Sequence, residues 1–202
     1  MTANAEELEL KDRLSLIESM IAEGRRTTES WGWTFVLWGV AYYVAIAWDI
    51  LGHNPWAWVI TMTIAWLLMM AILWYKAKQQ TEKKPSTRAG RSISSIWTAL
   101  GISMMLLFPA MGFSGRFTPQ TFVAVAGAML GMTNAASSMI LKWKAQLACA
   151  VVWWVAGAVA CFTNVTQCTI VFLAAIFFGQ IVFGIYAMIC ESRRRNQEAN
   201  HA

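Results

Sequence analysis

The chain has 202 residues, the length of one ordinary domain, but 57% are hydrophobic and 13% charged, about half the charged share of a soluble protein. That balance excludes a soluble globular domain, and twelve Trp point to rings placed where hydrocarbon meets water. The formal charge of +5 does not indicate nucleic acid, because the bases sit at the margins of apolar stretches rather than along one face.

Residues 1–30 carry seven acids against four bases, and Leu10, Leu14, Ile17 and Ile21 recur at spacings of 4, 3 and 4. That spacing predicts an amphipathic helix over 5–23 with one apolar seam. Gly24 is expected to end it, leaving Arg25 and Arg26 where cations suit a helix C-terminus. Helices that lie on anionic lipid usually present a basic face. This one is acidic, so the seam implies contact with protein, either a partner or a second copy. Its acids are also complementary to the basic run 76–91, in the same chain or a neighbour.

A spanning helix needs about 20 mainly apolar residues. Six such stretches follow, over 31–49, 56–75, 93–113, 121–141, 145–162 and 169–189. The breaks between them hold turn residues or charge: Gly52 to Pro55, the run 76–91, Gly115-Arg116, Lys142 with Lys144, and 163–167. The expected fold is therefore an all-α integral membrane bundle of six spans, with a helix and linker over 1–30 and a tail over 191–202. The first 30 residues lack the short apolar region of a cleaved leader and read as retained. With the N-terminus in the cytoplasm, fifteen of the sixteen Lys and Arg fall inside and only Arg116 falls outside. This predicts a bacterial-type inner-membrane protein with both termini cytoplasmic.

The spans hold no Lys, Arg, Glu or His; Asp49 and His53 sit at the outer end of the first hairpin. A buried carboxylate, the usual mark of an ion-coupled pump, is missing. No metal-ligand spacing occurs, no Asp cluster could hold a magnesium diphosphate, and no Ser has a His base within the spans. The sequence thus gives no reason to expect catalysis, a metal or a cofactor. Cys161 and Cys168 flank the last outer turn, where an oxidising compartment could join them; the alternative is two small residues packing in helices.

Neutral polar residues are the sharper signal. Tyr43, Ser103, Asn134 and Gln180 all count to near mid-depth, where an unpaired polar group is expensive. Asn134 shares a stripe with Ala124, Gly127, Gly131, Ala135 and Ser138, and Gly127 and Gly131 form the small-residue pattern that admits close helix approach. One reading makes the four polar residues interhelical glue, with spans four and six as partners; the other makes them a pocket for a neutral ligand. Trp31, Trp33, Trp74, Tyr75, Trp97 and Trp143 are placed in an inner belt, Trp48, Trp56 and Trp58 in an outer one. Trp38, Trp66, Trp153 and Trp154 should pack between helices.

Two functional readings follow. The first is a non-enzymatic scaffold, sensor or accessory subunit working through protein partners or self-assembly. The second is a small carrier or channel for an uncharged or lipophilic solute. Reporter fusions after Lys84, Lys144 and Arg195 should all report a cytoplasmic location, and a signal from the far side at any of them breaks the assigned topology.

Overall fold

The computed structural model describes residues 2–53, 56–79 and 88–200. Lys83, Lys84 and the Asn54-Pro55 turn lie outside the described residues. The elements in chain order are α1 (Thr2–Ser30), α2 (Gly32–Gly52), α3 (Ala57–Gln79), α4 (Arg88–Phe113), α5 (Pro119–Leu141), α6 (Lys144–Ala160), α7 (Val165–Ile176), a π-helical segment (Phe177–Val182) and α8 (Phe183–Asn200). No strand occurs among the described residues, and the fold is an all-α membrane helix bundle.

Five helical stretches are long and apolar enough to cross a bilayer. The sixth, α6, has 17 residues and rises about 25 Å, the short limit for a span. It returns the chain across the bundle pressed along α5. The last span is one continuous helical run from Val165, through the π segment, to a tail extending well past the predicted limit of 189.

Local sequence sets the ends. The Thr118 hydroxyl accepts the Thr121 amide at 3.1 Å, and Pro119 occupies the first turn of α5, where its missing N–H costs nothing. At the other end Lys142 adopts a left-handed cap (φ 48°), and its amide and that of Trp143 both return to the Ser138 carbonyl. Asn164 and Gln167 form a reciprocal capping box at the start of α7, at 2.9 and 3.2 Å. Asn164 of the sequon-like triplet is thus a helix cap.

Contacts between the helices show the chain alternating direction. At the basic end the Lys76 ammonium lies 4.8 Å over the Trp33 ring, joining the end of α3 to the start of α2. At the opposite end Trp58 Nε1 donates to Asp49 at 3.4 Å, and Gln120 donates to the Thr163 carbonyl at 3.4 Å. Each end has an aromatic layer. Phe35 meets Trp97 and Phe183 at 5.2 and 5.1 Å at the basic end; Phe122 meets Phe108 and Phe172 at 4.7 and 5.4 Å at the other.

Close packing is set by glycine. A Cβ on Gly127 would lie 2.6 Å from the Trp153 carbonyl and 2.8 Å from Gly157 Cα, so α5 and α6 touch backbone to backbone. Gly131 accommodates the Trp154 ring on the same face. The small-residue stripe therefore closes on the fifth span, not the sixth as expected, because the two-residue turn after Leu141 folds α6 directly against it. A second backbone contact joins α2 to α8, where a Cβ on Gly32 would sit 2.8 Å from the Gly184 carbonyl.

Several expectations are corrected. The α1 helix does not stop at Gly24: Gly24 is buried, the Thr28 hydroxyl bonds its carbonyl at 3.2 Å, and the helix continues to Ser30. Packing offsets the helix cost of glycine, about 1 kcal/mol. Trp143 is buried against Phe183 at 5.2 Å rather than placed in an interfacial belt. Trp66 faces outward instead of packing between helices, because α3 is peripheral and buries little of its length.

Gly127→Leu should force α5 and α6 apart and lower detergent-state stability by about 1–3 kcal/mol, the cost of overpacking. Gly101→Ala, with nothing within 4 Å of the added carbon, should change it by less than about 0.5 kcal/mol. Thermal unfolding of the two variants side by side checks this; equal effects would show that the glycine contact does not set the helix spacing.

Candidate functional site

Two places concentrate polar chemistry: a row of buried groups inside the bundle, and the junction where α1 meets its basic end.

The buried row begins with Tyr43 on α2, whose hydroxyl donates to the Leu173 carbonyl at 2.9 Å. Leu173 lies in the last turn before the π segment; its carbonyl also accepts the Phe177 backbone N–H, so the Tyr43 hydroxyl takes the oxygen's second lone pair. Gln180 sits within that segment, 6% exposed, with its Oε1 unpartnered. Its neighbour Gly179 is bare because the Trp153 indole nitrogen occupies the space, 2.6 Å from where a Cβ would be. The Trp153 N–H is itself buried and unpartnered. On α5, Asn134 donates to the Leu130 carbonyl at 2.9 Å while its Oδ1 has no partner.

Of the four polar residues expected at mid-depth, Asn134 and Gln180 are buried in the bundle and Tyr43 is half-buried. Ser103 is not brought to them. It is exposed on α4, which buries little of its length and packs chiefly against α5. Sequence reasoning missed Ser137 and Gln146. The Gln146 side chain is fully buried with both amide atoms unpartnered, and the Ser137 hydroxyl is likewise alone. In the sequence Gln146 follows Lys144 and reads as an interfacial residue; its burial comes from the tight α5–α6 turn.

Apart from the Tyr43 phenol, these groups are amides, a hydroxyl and an indole, donors and acceptors that carry no formal charge. They can hydrogen-bond water or a neutral polar molecule. Each left unpaired costs about 1–3 kcal/mol.

The junction is built differently. Arg25 donates from Nε to the Leu141 carbonyl at 2.7 Å, and from Nη2 to the Lys142 carbonyl. Those carbonyls lie at the C-terminal end of α5, where no further helical turn supplies N–H groups to donate to them. The cation therefore serves a helix C-terminus, as the sequence suggested, but that of another helix. Four residues on, Glu29 forms an ion pair with Arg194 of α8, both side chains largely covered. Lys76 and Lys78, expected to attract the acids of α1, lie over Trp33 and Trp74 instead.

Beyond this junction α1 projects from the bundle. Leu10, Leu14 and Ile17 are 59%, 53% and 51% exposed, while Ile21 is half-buried where the helix reaches the protein. Glu7–Lys11 and Glu9–Arg13 pairs line the projecting part at i,i+4.

All four thiols are free. Cys161 is exposed, its Sγ turned to the Gly157 carbonyl at 3.5 Å, and Cys168 is buried, so the structure holds no bridge between them. Among the described residues no three His, Cys, Asp or Glu side chains come together as a metal site would need. Compared with family models, with curated proteins and with solved structures, the chain matches none.

Arg25→Ala leaves two carbonyls of α5 without their partner and should cost about 1–3 kcal/mol locally. Amide exchange should accelerate over 18–30 and leave the Gly127–Gly157 region protected; unchanged exchange over 18–30 would show that the guanidinium does not hold α1.

Proposed function

We propose that this multi-pass membrane protein works without catalysis, as a scaffold, sensor or accessory subunit that engages protein through α1. One observation carries the reading. The C-terminal third of α1 is fixed to the bundle by Arg25 and Glu29, while its projecting part shows an apolar seam of Leu10, Leu14 and Ile17 that the chain itself does not cover. Apolar side chains spaced along one helix face bury against a second helix. The occupant is a protein partner or another copy of α1, and no nucleic acid is involved. The acidic character of this helix disfavours anionic lipid as the surface it rests on. In this reading the basic end of the bundle is cytoplasmic in a bacterial-type inner membrane, and both termini lie there. That orientation follows from the positive-inside bias.

A second reading, a carrier or channel for an uncharged solute, is favoured by the unpaired polar atoms of Asn134, Ser137, Gln146, Trp153 and Gln180. They would pair with a neutral polar ligand. The absence of any ionisable group among them fits an uncharged solute and not a coupled ion.

Deleting residues 2–17 removes the seam and spares the Arg25 and Glu29 contacts. Under the first reading the shortened protein stays inserted and folded but loses an oligomer or a co-purifying subunit, measured by native mass spectrometry from mild detergent. Unchanged assembly would move the assignment to the carrier. In that case replacing Asn134 and Gln180 together with Leu should abolish solute binding, whereas under the structural reading the pair costs about 0.6 kcal/mol per lost bond.

A further inference from the structure

We propose that the cleft between α1 and the basic end of the bundle binds a phosphate-bearing anion, of the kind carried by an acidic lipid headgroup or by inorganic phosphate. This goes beyond the partner reading and does not rest on it. The cleft has a volume of about 470 Å³ and is bounded by α1, the α5–α6 turn and α8. Small-molecule sites fall between about 300 and 1,000 Å³. Its charged lining is Arg25, Arg26, Lys142 and Arg194 against Glu18 and Glu29, a surplus of two positive charges.

How these charges are engaged decides what the cleft attracts. Glu29 and Arg194 neutralise each other, and Arg26 lies 4.0 Å from Glu23 in an exposed pair that water screens, so Arg25, Arg26 and Lys142 keep a surplus of one positive charge over Glu18 and Glu23. Arg25 donates to the carbonyls of Leu141 and Lys142, which satisfy its hydrogen bonds without cancelling its charge. The end of α5 would otherwise present bare carbonyls and the negative pole of its dipole. Arg25 covers two of those carbonyls and turns a rim that should repel anions into one that attracts them. Lys142 adds an exposed ammonium from the left-handed cap position, where the backbone turn fixes its Cα beside the cleft. Guanidinium forks and a lysine point charge are the groups that recognise phosphate oxygens.

Depth gives the ligand a source. The cleft lies at the level where α5 ends and α6 begins, which is where a spanning helix leaves hydrocarbon for headgroups. Basic recesses at that level hold acidic headgroups, and each base near the surface contributes about 1 kcal/mol. A phosphate between Arg26 on α1 and Lys142 on the turn would add a bridge parallel to the Arg25 contact and tighten α1 on the bundle.

The test uses the full-length protein in a neutral detergent. It is titrated with phosphatidylglycerol, with phosphatidylcholine as the zwitterionic control, and separately with sodium phosphate. Native mass spectrometry reads lipid binding, and amide exchange over 18–29 reads the cleft in both series. The expected result is a preference for phosphatidylglycerol over phosphatidylcholine, with slower exchange over 18–29. Arg26→Gln with Lys142→Gln should weaken that binding about tenfold or more, and Glu18→Gln, which removes a carboxylate from the lining, should tighten it. Protection by phosphatidylglycerol alone identifies a headgroup, and equal protection by sodium phosphate identifies a free anion. No preference among the lipids together with no effect of phosphate overturns the proposal. So does binding that neither the double variant weakens nor Glu18→Gln strengthens.

Discussion

The arrangement depends on one backbone contact, the approach of α5 to α6 at Gly127 and Gly157. Within a membrane the hydrophobic effect does not favour helix against helix over helix against lipid, so close packing must supply the attraction. Small residues permit it. With Gly127 against the Trp153 carbonyl, the Trp153 indole is directed away from α5 toward Gly179, and the π segment has to pass where no side chain obstructs it. Gln180 follows at once, and Gly39 of α2 closes on Ile181 from the other side, with the space for its own Cβ taken to 2.6 Å. One pair of glycines thus fixes a third helix and, through it, a fourth.

The periphery is bound by weaker means. The spans α3 and α4 bury only 11% and 6% of their apolar windows, against 56% for α5. They hold to the core by rings at the two ends: Trp58 near Phe122 at one, Trp97 against Phe35 at the other. Their remaining apolar surface is left to lipid, which it matches without cost. Stability is therefore uneven by construction, highest where backbones touch and lowest in α3, α4 and the projecting part of α1.

Class and span order were legible in the sequence because they rest on one-dimensional quantities, the length of apolar runs and the placement of charge. Gly127 and Gly131 were legible as a packing face because three-residue intervening spacing puts both on one side of a helix. Which helix they would meet was not, since that depends on a turn whose tightness comes from a left-handed Lys142. The polar site was half legible. Asn134 and Gln180 stand out among apolar neighbours, whereas Ser103 has the same local signature and faces outward, because depth along a span carries no information about direction around it. Gln146 looked interfacial, and only the fold of α6 back along α5 buries it. The π segment has no sequence signal that periodicity could detect.

The junction of α1 differs in kind from the core it sits on. Core contacts are apolar and close-packed, and they respond little to ionic conditions. The junction consists of a guanidinium on two carbonyls and a partly covered Glu29–Arg194 pair, interactions whose strength depends on solvent access and salt. The Trp31 break between α1 and α2 is a single non-helical residue, so the two helices are nearly one rod. Releasing the junction exposes charged groups that water can solvate, whereas separating α5 from α6 exposes a polar row that lipid cannot. The first step is the less costly one, and it leaves the Gly127–Gly157 contact untouched. A helix fixed in this way can respond to charge at the membrane surface while the bundle beneath it keeps its packing.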